Sequence, residues 1–307
     1  MAIVAALLAA LLFALASVLQ HRSARQESHE HGMRVGLLAR LAVRPVWLVG
    51  ILADAAALAL QFLALAQGSL ALVQPLLVSG LLFALPLSAA INRHRLRGAD
   101  WAGALATVAG LALFLVSADV SPGVTQTSLL TWGVVLAATL VPAGVLVGLA
   151  GPGPSVRRAV LLAAATGLAY GLCAALIKAT AGLLSQGVVA VLVAWQPYAL
   201  VAIGAGSLLV GQSAFQAAPL RASLPILTVL DPVVSIVIGT LAFDEDLSGG
   251  AVRLALEVLG LVVLTVGVVV LARSPLVSGE TQDEGGRGST ADHGLAGGEG
   301  AGGSGGP

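Results

Sequence analysis

Nine long apolar stretches separated by short polar loops dominate this 307-residue chain. A helix needs roughly 20 apolar residues to cross the hydrocarbon core of a bilayer. Because 58% of the residues are hydrophobic and 10% are charged, a soluble core has no room for this much apolar surface. The sequence therefore predicts an all-α polytopic membrane protein. Its predicted spans are 2–20, 46–67, 69–91, 100–117, 128–149, 159–182, 196–217, 219–243 and 254–272.

The stretch from 186 to 217 leaves the number of spans open. It is long and contains Trp195 and Pro197. It holds either a short interfacial piece before one span or an additional span, which would make ten.

Basic residues alternate between the loops. Arginines occur in the loops after the first, third and fifth apolar stretches, whereas the loops near Gln67, Asp119 and Ser185 contain no Lys or Arg. Cytoplasmic loops carry an excess of Lys and Arg. We therefore predict a multi-pass protein of the cytoplasmic membrane, with its N-terminus outside and its C-terminus in the cytoplasm.

A proline-marked helix occurs twice in the chain. The first copy reads Gly68-Ser-Leu-Ala-Leu-Val-Gln-Pro75-Leu-Leu and the second reads Ala218-Pro-Leu-Arg-Ala-Ser-Leu-Pro225-Ile-Leu. An apolar helix with two glycines seven residues apart follows each copy. With nine spans the copies are inverted, which is a common plan of secondary transporters that bind their substrate between the repeats.

The repeat divides the chain into four predicted parts. These are a first transmembrane repeat at 1–126, a connecting helix at 127–150, a second transmembrane repeat at 151–273, and a disordered Gly-rich cytoplasmic tail at 274–307. Gly-rich sequence of this kind has nothing to bury and forms flexible tails.

Two aspartates lie at predicted membrane depth. Asp54 is in the second stretch, and Asp231 is in the eighth, directly before Pro232. Charged groups at this depth are costly and mark substrate or proton pathways, or lock helices together. Proline removes a backbone donor and frees a carbonyl one turn earlier. We therefore predict helix hinges at Pro75, Pro225 and Pro232, and a pathway role for both aspartates.

Other polar residues complete the predicted substrate or ion pathway: Gln61, Gln74, Gln212 and Lys178. The glutamines face either a substrate or a neighbouring helix, to which they hydrogen-bond. Lys178 lies near the predicted outer surface, where it either extends its ammonium group to water or pairs with an acidic group. Small-residue helix faces are also compatible with a homodimer.

Several function classes lack support in the sequence. No catalytic constellation is visible, no nucleotide-binding motif is present, and the formal net charge of zero gives no reason to expect nucleic acid as a partner. We therefore predict no enzymatic activity and no cofactor, with the lipid bilayer and a small solute or ion as the partners.

The motifs Leu-Ala-Leu-Val-Gln-Pro75-Leu-Leu-Val and Leu-Thr-Val-Leu-Asp231-Pro232-Val-Val-Ser, with Phe-Asp-Glu245-Asp-Leu after the second, resemble the drug/metabolite transporter superfamily. They are similar to its EamA-like actinobacterial members, and the resemblance covers about residues 2–273. It implies a secondary transporter that moves a small polar or amphipathic metabolite or drug by alternating access. With the two aspartates, it favours coupling to protons.

A second resemblance is to the NIPA-type magnesium transporters, through Val-Gln-Pro75 and Gln61-Phe62. The family's glutamate falls on Leu58, and Asp54 lies one helical turn earlier on the same face. This resemblance implies a magnesium transporter. The metal ligands stay unknown, and in this alternative Asp54 and Asp231 are the candidates, because hard cations prefer oxygen ligands. The remaining alternative is a membrane scaffold without transport activity.

Overall fold

The computed structural model describes residues 1–25, 45–92, 96–117, 121, 123–245 and 250–274. Within these ranges the regular secondary structure is helical. The helices are α1 (Ala2–Arg25), α2 (Pro45–Gln67), α3 (Leu70–Val78), α4 (Gly80–Asn92), α5 (Gly98–Ser117), α6 (Leu129–Ala150), α7 (Val156–Leu184), α8 (Val188–Val193), α9 (Gln196–Ala217), α10 (Leu220–Ala242) and α11 (Ala251–Ala272).

The described residues include nine segments that are long and apolar enough to cross a membrane, one of which combines α3 with α4. This confirms the prediction of an all-α polytopic membrane protein. The predicted tail lies outside the described residues, apart from Ser274.

The tenth-span alternative is wrong, because the chain before α9 forms only the six-residue helix α8. Gly187 precedes α8 with a φ of 106°, and Ala194 follows it in an extended conformation. A helix this short covers only a fraction of the roughly 20 residues that a span requires. The other alternative, a short piece before one span, agrees with the structure of this segment.

The third span is interrupted at Ser79. Pro75 lies one turn before the interruption, but the carbonyl that loses its helical donor to this proline is that of Ala71, so α3 continues through Pro75 to Val78. The Ser79 backbone N–H donates to the Leu76 carbonyl at 3.1 Å. The Ser79 hydroxyl donates to the same carbonyl at 2.5 Å. In contrast, α10 continues through both Pro225 and Pro232.

The most deeply buried span is α7. It packs against α6, α9 and α10, and it also contacts α2. Alanine and glycine recur along it and let neighbouring helices approach closely, as is typical of helix contacts in membranes. Consequently α7 forms the centre of the bundle, and side chains on its several faces point into the protein.

Two other spans, α5 and α11, form a close helix pair through glycines. A Cβ atom on Gly110 would lie 2.7 Å from the Gly260 carbonyl oxygen, and one on Gly260 would lie 2.7 Å from the Phe114 amide nitrogen. Gly103 and Gly267 extend the contact along both helices. The two backbones therefore touch at positions where only glycine fits.

Candidate functional site

A cavity of about 450 Å³ lies between six of the described helices, α1, α2, α3, α4, α7 and α10. Its polar lining residues are Gln61, Gln74, Tyr170, Cys173, Thr228 and Asp231. The remaining lining residues are apolar and include Phe13, Leu77, Leu81 and Ile177. The cavity therefore combines apolar walls with a small number of convergent polar groups, which is the usual composition of a small-molecule site.

Asp231 is the only charged residue among the described residues that line the cavity. It lies midway along α10 and is half-buried, with the Ser235 hydroxyl 3.4 Å from its Oδ1 atom. The next residue, Pro232, has no N–H to donate to the Thr228 carbonyl. Thr228 also lines the cavity, so this part of α10 offers a carboxylate and a carbonyl that lacks its helical donor.

Gln74 lines the cavity from α3, and its amide nitrogen is buried in the cavity wall. Its side chain is 3% exposed, and within the described part of the chain its Nε2 atom has no hydrogen-bond partner. Leaving a buried donor unsatisfied costs about 1–3 kcal/mol. A donor beside a cavity of this size is therefore suited to an oxygen atom of a bound molecule. Gln61 reaches the same cavity from α2.

The sequence analysis missed Tyr170 and Cys173, which line the cavity from α7. The two residues are three positions apart and therefore share a helix face. The Cys173 thiol also interacts with the side chain of Ser207. An aromatic residue and a cysteine in an apolar helix give no signal of this role, because both are common in ordinary cores.

The structure brings only three of the predicted pathway residues, Gln61, Gln74 and Asp231, to the cavity. Asp54 lies on α2, half-buried, and its carboxylate accepts a hydrogen bond from the Gln20 side chain of α1. Gln212 is exposed on α9. Neither of these two residues lines the cavity.

Lys178 is placed in a buried ion pair. Its side chain is 1% exposed, and its Nζ atom contacts Oε1 of Glu245, whose side chain is 0% exposed. The interpretation of Lys178 as a residue that extends to water is therefore wrong. Its alternative, pairing with an acidic group, is what the structure shows, although the partner is in the loop after α10 and not one of the aspartates.

The Glu245 carboxylate also binds the N-terminus of α3. Its Oε1 accepts a hydrogen bond from the Leu70 backbone N–H at 2.7 Å, and its Oε2 accepts one from the Ala71 N–H at 3.0 Å. The first N–H groups of a helix lack intrahelical partners and favour negative charge. One carboxylate thus connects α3 of the first half to α7 and α10 of the second half.

A series of aromatic contacts extends from this ion pair, beginning at Phe243. The Lys178 ammonium lies 5.2 Å from the ring centre of Phe243. Trp132 contacts Phe243 edge-on, with ring centres 5.9 Å apart, and contacts Trp195 in the same manner at 5.2 Å. Asp244 adopts a φ of 51°, a conformation that few non-glycine residues accept. This turn lets Glu245 point into the bundle instead of away from it.

The cavity begins directly next to the ion pair. Ile177 lines the cavity and is the residue before Lys178 on α7. Gln74 lines it one turn along α3 from Leu70, whose N–H binds Glu245. The cavity continues past Asp231 to Leu227, nearer the other end of α10. The ion pair therefore lies just beyond the end of the cavity that is nearer the start of α3, and its own residues do not line the cavity.

These features define a polytopic membrane protein whose helices line a mostly apolar cavity with one carboxylate. The chain is 31% identical over 277 residues to an uncharacterized protein from Corynebacterium glutamicum. The match covers 89% of this chain and 95% of the relative. The chain therefore belongs to the same protein family as this relative. No family model matches the chain, and no solved structure matches it.

Proposed function

We propose that the protein is a secondary transporter that moves a small polar or amphipathic solute by alternating access, in exchange for or together with protons. The observation that carries this proposal is the cavity that holds Asp231 between helices of both halves of the chain. Intramembrane ionisable residues at such an interface are typical of substrate and ion pathways. The resemblance to the drug/metabolite transporter superfamily points to the same function.

The packing of the helices supports two inverted repeats. In the first half α1 packs against α2 and against the interrupted third span, and in the second half α7 packs against α9 and α10. The last helices of the two halves, α5 and α11, pair with each other, and α3 contacts α10. An inverted two-fold repeat with α6 as connector produces this arrangement, and repeats of this kind exchange conformations during transport.

The cavity chemistry favours a neutral or cationic solute. Its apolar walls suit an amphipathic body, its one carboxylate repels anions, and Gln74 offers a donor to an oxygen atom. A lone carboxylate binds either a proton or a cationic solute. We therefore assign the coupling proton to Asp231 and not to Asp54, which lies outside the cavity lining. The protein would work in the cytoplasmic membrane with its N-terminus outside.

Magnesium transport has less support in the geometry. Hard divalent cations prefer several oxygen ligands, commonly including more than one carboxylate in a protein site. Among the described residues no group of three His, Cys, Asp or Glu side chains is suited to hold a metal. Asp54 and Asp231 also do not share the cavity. A scaffold function does not explain why the half-buried Asp231 carboxylate lines a cavity.

The proposal is tested in liposomes that contain the purified protein, a pH dye and a magnesium dye. A panel of amphipathic cations and amino acids is added outside, and a magnesium gradient is applied separately. We expect one class of organic solute to drive proton movement, and Asp231→Asn to reduce it to the level of protein-free liposomes. Asp54→Asn is the matched control and retains transport. Unchanged transport in Asp231→Asn would contradict the assigned role of Asp231, and magnesium flux would favour cation transport.

Gln74→Leu is expected to separate stability from binding. Leucine has a similar size and removes the unsatisfied Nε2 donor, so the variant should gain about 1–3 kcal/mol of folding stability. It should also raise the solute concentration needed for half-maximal transport. Gln212→Leu, at an exposed position of α9, is the control and should leave transport unchanged. Equal transport by the two variants would exclude Gln74 from the binding site.

A further inference from the structure

The ion pair between Lys178 and Glu245 lies just beyond the end of the cavity that is nearer the start of α3. Glu245 binds Lys178 of α7 and the Leu70 and Ala71 N–H groups of α3. Both helices also line the cavity, through Ile177 and Gln74. Movement of α3 away from α7 at this end requires these contacts to break first.

All of these contacts depend on one group, the Glu245 carboxylate. The carboxylate accepts two backbone hydrogen bonds and one from an ammonium group. Hydrogen bonds to charged groups contribute more than neutral ones. The carboxylate belongs to the short turn at Asp244 and Glu245 that follows α10, and not to a span. A shift of this turn therefore releases all three bonds without unfolding a helix.

The N-cap residues of the two proline-marked helices differ. Ser69 and Glu245 together satisfy N–H groups at the start of α3. Its counterpart α10 begins after Pro219, which makes no side-chain cap hydrogen bond. The two proline-marked helices therefore start differently: the N-cap residue of α3 makes a side-chain hydrogen bond and that of α10 does not.

We propose that Lys178, Glu245 and the N-terminus of α3 form a gate that closes the cavity toward the end of the bundle where α3 begins. The predicted topology places this end outside the cell. The inference uses the proposed function only in treating the cavity as the transport pathway. The gate itself is a statement about access to the cavity and is tested without any substrate.

The chain provides its own probe of access. Cys173 is the one cysteine in the sequence, and it lines the cavity. A membrane-impermeant, charged maleimide applied to intact cells reaches this thiol from outside only when the α3 end is open. The unreacted thiol is then counted with a fluorescent maleimide after solubilisation in detergent, which exposes both ends of the cavity.

Two variants open the gate by different means. Glu245→Gln removes the charge and keeps an oxygen that accepts from the α3 N–H groups. Gly239→Ala keeps both charges, but its new Cβ would overlap Oε2 of Glu245 and lie 3.2 Å from the Leu70 Cβ. Each variant should increase the labelling rate from outside about tenfold or more, because a hydrogen bond to a charged group contributes on the order of 1.5–3 kcal/mol.

Matched controls separate the gate from general loosening. Glu257→Gln neutralises a buried carboxylate on α11, and Gly206→Ala adds a Cβ where no atom lies within 4 Å. Both should label at the wild-type rate, and Cys173→Ser should not label. Size-exclusion elution and the midpoint of thermal unfolding verify the fold of each variant. If Glu245→Gln does not fold, Gly239→Ala decides the result.

Wild-type labelling rates in the folded gate variants would overturn the proposal. So would acceleration seen only when the reagent is applied to inside-out vesicles. The outcome is independent of transport: faster outside labelling with no transported solute in the panel would support the gate and count against the proposed function. Transport that depends on Asp231, with no change in labelling in the gate variants, would support the proposed function and contradict the gate.

Discussion

Lys178→Met is expected to lower the free energy of unfolding by about 3–5 kcal/mol, because removing one partner of a buried ion pair leaves the other charge uncompensated. Because methionine fills much of the space of lysine, the lower free energy of unfolding measures the effect of the missing charge and not that of a cavity. The Glu245 side chain is fully buried in the closed ion pair. The measurement is denaturant or thermal unfolding of the purified protein in detergent micelles.

The double variant Lys178→Met, Glu245→Gln should recover most of this loss. No charge then remains buried, and the glutamine oxygen still accepts from the Leu70 N–H or the Ala71 N–H. Glu257→Gln is the control, since both of its buried carboxylate oxygens lack a hydrogen-bond partner among the described residues. Neutralising it should leave stability unchanged or raise it. A Lys178→Met protein as stable as the wild type would show that the ion pair is not formed.

Gly110→Val is expected to separate α5 from α11 and to prevent the protein from purifying as a single folded species. A Cβ on Gly110 would overlap the Leu264 backbone and lie 2.7 Å from the Gly260 carbonyl oxygen. Overpacking with room to adjust costs about 1–3 kcal/mol. Here the atoms that a Gly110 Cβ would meet belong to the backbone of α11, which has little room to adjust. The two helices must therefore move apart along their contact.

Gly144→Val on α6 is the matched control, because no atom lies within 4 Å of its Cβ position. Valine there points away from the described chain and should not alter folding. Size-exclusion profiles and thermal unfolding midpoints in the same detergent compare the two variants. A Gly110→Val protein with the elution and midpoint of Gly144→Val would contradict the close helix contact.

Helices α3 and α7 contribute both to the cavity and to the proposed gate. Gln74 and Ile177 line the cavity, and each lies within one turn of a group that binds Glu245. If the cavity is the transport pathway that we propose, a solute that draws Gln74 toward Asp231 would change the position of the α3 N-terminus. Such a connection is what alternating access requires, since closure on one side must depend on the occupancy of the site.

The sequence by itself determined the spans and several of the site residues. Apolar length fixes where helices cross a membrane, so the predicted spans agree with α1 to α7 and α9 to α11 to within a few residues. Buried charge is costly in lipid, which singled out Asp231 before any geometry was known. The choice between nine and ten spans was left open, because hydropathy does not show that Gly187 and Ala194 confine α8 to six residues.

Only the tertiary structure decided which polar groups meet. Asp54 and Asp231 look alike in sequence, yet only Asp231 lines the cavity. Glu245 is one of three consecutive acidic residues in a loop, and such residues are ordinarily solvated. Its burial against Lys178 depends on the turn at Asp244 and on the free N–H groups of α3, which are distant in the chain. Contacts of this range follow from helix packing, and no local pattern encodes them.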